Sequence, residues 1–175
     1  MWNLIAAFSV LFVAVRSQST AVSQCTSYGG ELPINTYIEG CITPRCDLIS
    51  RQDVVINLVF RAPHTIRSME TLASAYLLFI EVKHDLLENA ITCNFLTNTY
   101  CPVLAGEVVQ YTLRMYIDPL FPVGTLTTIE FRIVDDDKVP FICIRVPVRI
   151  VAPVTRANAT LPQDTNTNVH TINLL

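Results

Sequence analysis

The chain has 175 residues, enough for one domain that buries most of its surface. Apolar residues make up 51% and charged residues 15%, so the composition is that of a packed, unusually apolar domain. The net charge of −3, with no cluster of Lys and Arg, excludes nucleic acid as a partner, because phosphate binding needs concentrated positive charge.

Residues 4–15 form an apolar run of signal-peptide length, and Ser17 and Ser19 offer small residues for cleavage. No basic residue precedes the run, and it is too short to span a bilayer. Residues 1–19 are therefore expected to be a signal peptide and the mature chain to be secreted, extracellular or in the lysosomal lumen. Its loss removes Arg16, leaving eleven basic against fifteen acidic residues, net −4. All six cysteines lie downstream, which fits three disulfides in an oxidising compartment. Zinc fits poorly, because Cys41-x4-Cys46 and Cys93-x7-Cys101 lack the tight pairing of a structural site.

Cys25 precedes a flexible Tyr28-Gly29-Gly30, and residues 32–38 are a short candidate strand. Gly40 to Cys46 is a tight loop. Residues 53–61 alternate Val54, Ile56, Leu58 and Phe60 against Asp53, Asn57 and Arg61, the pattern of a strand with one wet face. Residues 71–83 are long enough for a helix, but they lack a cap and collect Tyr, Phe, Ile and Val, so they are read as one strand. In that reading Leu72, Tyr76, Leu78, Ile80 and Val82 share one face. A loop with a helical turn near Asp85 to Asn89 follows. Residues 108–117 alternate again, with Val109, Tyr111, Leu113, Met115 and Ile117 on one side. Asp118 to Gly124 is a rigid connector, unusually apolar for a loop.

Residues 127–151 organise the rest. Two apolar arms flank Asp135-Asp136-Asp137-Lys138, the sequence form of a β-hairpin. Ile129, Phe131 and Ile133 share a face in the first arm, with Glu130 and Arg132 opposite. In the second arm Ile142, Ile144, Val146, Val148 and Ile150 share a face, with Cys143, Arg145 and Arg149 turned away. One face should meet an apolar interior and the other water. Pro147 predicts an edge or a bulge at that point of the strand. Residues 153–175 are polar and are expected to be disordered. Asn158-Ala-Thr160 in that tail is the one glycosylation sequon. Six or seven short strands with almost no helical periodicity predict an all-β sandwich of two sheets.

The order Cys25, Cys41-x4-Cys46, Cys93-x7-Cys101, Cys143 resembles the ML lipid-recognition domain family, and within it the Niemann-Pick type C2-like branch. The segments Gly40-Cys41-Ile42-Thr43-Pro44-Arg45-Cys46 and Phe141-Ile142-Cys143-Ile144-Arg145-Val146-Pro147 carry the likeness, as does Phe121-Pro122, similar to an aromatic-Pro pair at a pocket mouth. The resemblance places one such domain over residues 20–152. It implies an immunoglobulin-like sandwich whose sheets splay around an apolar cavity, with pairings Cys25–Cys143, Cys41–Cys46 and Cys93–Cys101. It also implies that Ile129, Phe131, Ile133, Ile144, Val146 and Val148 line the pocket. The alternation adds Tyr76, Leu78, Ile80, Tyr111, Leu113 and Met115 to that lining, and the likeness adds Phe121 and Pro122 at the mouth. Sterol carriers of the family tend to have a Pro-rich segment before the third loop and Trp on the hairpin. Residues 81–90, Phe131 and Ile144 depart from that, so a fatty acid is as good a ligand as a sterol.

Alternation alone favours a filled core, since most alternating sandwiches are filled, and it is the resemblance that turns the expectation to a cavity. The three aspartates could suggest calcium, but adjacent carboxylates in a tight turn cannot all face one ion, and a solvated turn is the reading. Lys83-His84-Asp85 with Glu88 could suggest catalysis or a metal, yet a polar edge loop explains them, and Lys83 or His84 could touch a lipid head group at the mouth. There is no Gly-x-Ser-x-Gly elbow and no nucleophile with a matched His and acid. The expectation is a monomeric, non-enzymatic lipid-binding or lipid-transfer protein, without metal or cofactor, that holds a sterol or fatty-acid-like ligand and makes transient contact with a membrane or receptor. The alternative is an interaction module of innate immunity that works through its surface.

Overall fold

A computed structural model describes residues 18–77 and 80–153. The expected signal peptide as far as residue 17, Leu78, and the tail from residue 154 with its Asn158 lie outside the described residues.

Among the described residues nine strands run in chain order: β1 (Ser23–Gln24), β2 (Asn35–Ile38), β3 (Cys46–Ile49), β4 (Asp53–Arg61), β5 (Glu70–Leu77), β6 (Ile80–His84), β7 (Val108–Tyr116), β8 (Leu126–Val134) and β9 (Pro140–Val151). Two 3-10 turns, Leu87–Ala90 and Thr92–Phe95, fill the β6–β7 connection, the first near the helical turn expected there. The larger sheet has the order β1-β9-β8-β5-β6, with β3 also on β9, and the smaller has β2-β4-β7. The two pack face to face as an all-β sandwich.

Alternation placed four of these strands closely. β4 and β7 pair from Asp53↔Tyr116 to Arg61↔Val108, burying Val54, Ile56, Leu58 and Phe60 against Val109, Tyr111, Leu113 and Met115 on one face. β8 and β9 form the hairpin, with Phe131 opposite Ile144 and Ile129 opposite Val146. Phe60 and Phe141 meet edge-on at 5.7 Å between ring centres and close one end of the core.

Three expectations need correction. Residues 71–83 are two strands: β5 and β6 pair antiparallel with Leu77 opposite Ile80 and Ala75 opposite Val82. Reversal after an even number of residues switches parity, so Tyr76 and Val82 fall on opposite faces of the sheet. Second, the outer face of the hairpin is not wet. Glu130 is 0% and Arg132 8% exposed, because the segment after β1 lies over them. The Tyr28 ring stacks 3.6 Å from the Arg132 guanidinium, and its hydroxyl donates to Glu81. Third, β9 is interior to its sheet rather than an edge. Pro147 still fits, because β1 registers with Ile144 and Arg145 and β3 with Val148 onward, leaving Pro147 in the gap between those ladders.

The disulfides are Cys25–Cys143, Cys41–Cys46 and Cys93–Cys101. The first spans 118 residues and pins the covering segment to β9. Closing a ring of that size removes chain entropy worth about 4–5 kcal/mol. The hairpin turn uses its aspartates structurally. Asp135 accepts from the amides of Asp137 and Val139, and Asp136 from those of Arg67 and Ser68 and the Ser68 hydroxyl.

Candidate functional site

The inner faces of both sheets are apolar, and the space between them opens at one end. There the connector from β7 to β8 lies against the β5–β6 pair and leaves a cavity of about 370 Å³, walled by Leu77, Val82, His84, Leu120, Phe121 and Pro122, with Lys83 and Asp118 also on its rim. The connector holds its shape because the Asp118 carboxylate accepts from the Leu120 amide and the Phe121 amide donates to the Asp118 carbonyl.

His84, Asp118 and Phe121 also border a second cavity of about 20 Å³ that runs inward between Ala75, Met115, Ile129 and Ile150. Met115 and Ile129 in turn border a third, of about 10 Å³, enclosed by Ile56, Phe131, Val146 and Val148. The three share walls in sequence, so they form one apolar seam leading from the mouth into the core. The His84 and Phe121 rings stand 6.5 Å apart, centre to centre, where the mouth narrows to the seam.

Seven of the fourteen residues expected at a pocket come together here. Met115, Ile129, Phe131, Val146 and Val148 border the seam, and Phe121 and Pro122 the mouth. Ile133, Ile144, Tyr111 and Leu113 are buried between the sheets but border none of these three cavities. The Tyr111 hydroxyl accepts from Thr71, which also bonds Thr92. Burial pushes the Tyr111 phenol up to about 12, against the opposing pull of those hydrogen bonds.

Two expected residues are elsewhere. Tyr76 stands on the outer face, donating to Glu130 with its ring 4.9 Å from the Arg145 guanidinium. Ile80 is 67% exposed at the tip of the β5–β6 pair. The parity switch explains Tyr76 and brings Ala75 and Leu77 to the seam and mouth in its place, while Ile80 shares the face of Val82 and His84 but lies out at the tip of the pair, clear of the mouth. Ile38 and Leu48, from strands too short to show alternation, also border the innermost cavity.

The outer face holds a separate ionic cluster. The Glu130 carboxylate lies 3.5 Å from Arg132 Nε and 3.8 Å from Arg145 Nε, and Glu81 lies 3.4 Å from Arg132. Burial raises the Glu130 carboxyl above the usual range, while both guanidinium groups oppose the rise. Cys25, Cys143 and Glu130 come within ligand distance of one another, but both sulfurs are held in a disulfide and offer no thiolate to a metal.

A family model described as ML domain matches residues 19–150. Among solved structures, a Niemann-Pick type C2 protein from the Japanese carpenter ant superposes with a TM-score of 0.62 at 17% identity, over 74% of this chain and 98% of that one. Chicken MD-1, solved in complex with lipid IVa, gives a TM-score of 0.44 at 13% identity, over 65% of this chain and 78% of that one. Comparison with curated proteins finds no match. At such identities the superposition speaks for the fold, while the family match spans both sheets, the seam and all six cysteines. This chain belongs to the ML-domain family.

Proposed function

We propose that this protein binds one lipid in the seam between its sheets and carries or presents it outside the cell or in the lysosomal lumen. The ligand is sterol- or fatty-acid-like, and the protein works by binding rather than by catalysis. The observation behind this reading is the run of three apolar cavities with shared walls, from Phe121 and His84 at the surface to Phe131 and Val146 inside. An alkyl chain moving from water into such a seam gains about 25 cal/mol for each Å² of apolar surface buried. The inner cavities are narrow, so uptake spreads the sheets. Met115, which stands between them, is the side chain best suited to swing aside. Three disulfides support secretion, since they persist in oxidising compartments.

One observation favours a second reading. Inner cavities of about 20 and 10 Å³ come close to a filled core, which would suit an interaction module acting through its surface. Native mass spectrometry of the secreted protein, followed by organic extraction, separates the two. A stoichiometric lipid supports the carrier. A protein that emerges empty and refuses both oleate and cholesterol supports the module.

A further inference from the structure

β6 is the last strand of the larger sheet, and its outer edge is open. Which of its backbone groups face that edge follows from the ladder. The Thr127 hydroxyl donates to the Tyr76 carbonyl, and Thr128 registers with Tyr76, so the backbone of Tyr76 faces β8. Backbone groups alternate sides along a strand, so those of Ala73, Ala75 and Leu77 face β6. Their partners His84, Val82 and Ile80 spend their amides and carbonyls on β5. The amides and carbonyls of Glu81 and Lys83 therefore point to the open edge, where they meet no backbone partner among the described residues. Such an edge is a template for a further strand.

The side chains decide which strand fits. Glu81 and Lys83 lie on the outer face of the sheet, opposite Tyr76 and Ser74, with Ile80, Val82 and His84 on the inner face. The Glu81 carboxylate is fixed in place: it accepts from the Ser74 and Tyr28 hydroxyls and lies 3.4 Å from Arg132. Lys83 is exposed and makes no ion pair among the described residues. Antiparallel pairing sets outward-facing backbone against outward-facing backbone, so a two-fold axis joining two copies of β6 passes through a residue. An axis at Glu81 would oppose two carboxylates. An axis at Lys83 would oppose two ammonium groups and set Glu81 against Asp85. An axis at Val82 sets Glu81 of each copy against Lys83 of the other. A Lys on an edge strand ordinarily keeps other strands away. Here the acid two residues before it, on the same face, turns that repulsion into a choice of register.

We propose that β6 pairs edge to edge with β6 of a second copy of this chain, antiparallel, about a two-fold axis at Val82. In that register Glu81 and Lys83 of each copy bond through both backbone groups to Lys83 and Glu81 of the other. Val82 packs on its own counterpart, and Ile80, 67% exposed in the single chain, gains His84 of the other copy as a neighbour. An extended peptide of another protein would satisfy the same backbone groups, but a second β6 carries the matching charges by symmetry. The dimer departs from the monomer expected from the sequence. Val82, Lys83 and His84 also border the mouth, so the axis brings the two mouths side by side. The pairing does not rest on a lipid in the seam, since the edge and its charges are the same with the seam empty.

Sedimentation equilibrium of the secreted full chain over a concentration series tests the pairing. The wild type should pass from monomer to dimer as concentration rises, and added salt should weaken the dimer. Lys83→Glu, a change at an exposed position, should weaken it about tenfold, because both symmetry-related cross-strand pairs turn from attraction to repulsion. Cross-linking reads the register. With the axis at Val82, the two Val82 Cα atoms stand about 4.5 Å apart, so Val82→Cys should give a disulfide-linked dimer on non-reducing gels. Lys83→Cys should not, since its two copies are offset along the strands beyond disulfide reach. A wild type that stays monomeric at every concentration, or a dimer that Lys83→Glu leaves equally tight, overturns the edge pairing. Cross-linking of Lys83→Cys in preference to Val82→Cys overturns the register.

Discussion

Single residues show where the covering segment is locked to the sheet. Gly30 has φ +120°, and a Cβ there would stand 2.9 Å from backbone atoms of both Ile142 and Cys143. Neither the conformation nor the space admits a side chain, and backbone cannot step aside as a flexible side chain can. Gly30→Ala should lower stability by about 1–3 kcal/mol in urea unfolding, whereas Gly29→Ala, with nothing within 4 Å of its Cβ, should change little. An equal effect at both positions would refute the close approach. Beneath that segment, Glu130 has an unusual pH signature. Its carboxyl is raised in the fold, so the folded state holds the proton more firmly than the unfolded chain. This group alone makes stability fall as pH climbs from 4.5 through the raised value. Asp47, held low by its hydrogen bond to Arg149, and Asp136, held low by its bond to Ser68, have the opposite sign. Their contribution is present above the ordinary carboxylate range and is lost as pH falls through their depressed values. Glu130→Gln should flatten the limb on the less acidic side of the stability profile and leave the acid limb in place. An unchanged limb above pH 4.5 would show that Glu130 titrates as in the unfolded chain.

At the scale of elements, legibility followed strand length and turn chemistry. β4, β7, β8 and β9 are 9 to 12 residues long, and their alternation named the buried face correctly. β1 has two residues and β3 four, too few to establish a period. β3 is recognisable in the structure from its parallel register with β9 and the two-bonded Arg149–Asp47 pair, neither of which leaves a local trace in sequence. The β5–β6 reversal was hidden for another reason. Around Leu77 and Ile80 there is no Gly, Pro, Asn or Asp, the residues that mark a hairpin. Missing it inverted the face given to Tyr76 and concealed Ala75 at the seam and Leu77 at the mouth. The outer side of the hairpin was misread because alternation reports which side chains share a face, and another segment can still cover that face. Asp136 offers a test at this scale, since it ties residues 67–68 to the β8–β9 turn by three hydrogen bonds. Asp136→Ala should lower the urea midpoint at neutral pH, and the difference should vanish once the pH falls below the depressed value of Asp136. A difference that persists in acid would mean that the tie does not depend on the charged carboxylate.

Across the whole molecule, the seam and the disulfides belong to one design. Sheets that must part to admit a ligand forgo some packing between them, and cavity left empty costs roughly 24 cal/mol per Å³. The Cys25–Cys143 bond restrains the outer side of the larger sheet without crossing the seam, so it stabilises the fold while leaving the mouth near Phe121 free to open. The seam's narrowness makes it sensitive to one substitution. Met115→Trp should block uptake of every ligand, because the indole would occupy the space between the two inner cavities. The most direct measurement is native mass spectrometry of the secreted wild-type protein beside Met115→Trp, with organic extraction of each. The account predicts one lipid per chain in the wild type and none in a folded variant. A wild-type protein that is empty and takes up neither oleate nor cholesterol, or a variant that carries lipid equally well, would contradict a ligand seated between the sheets.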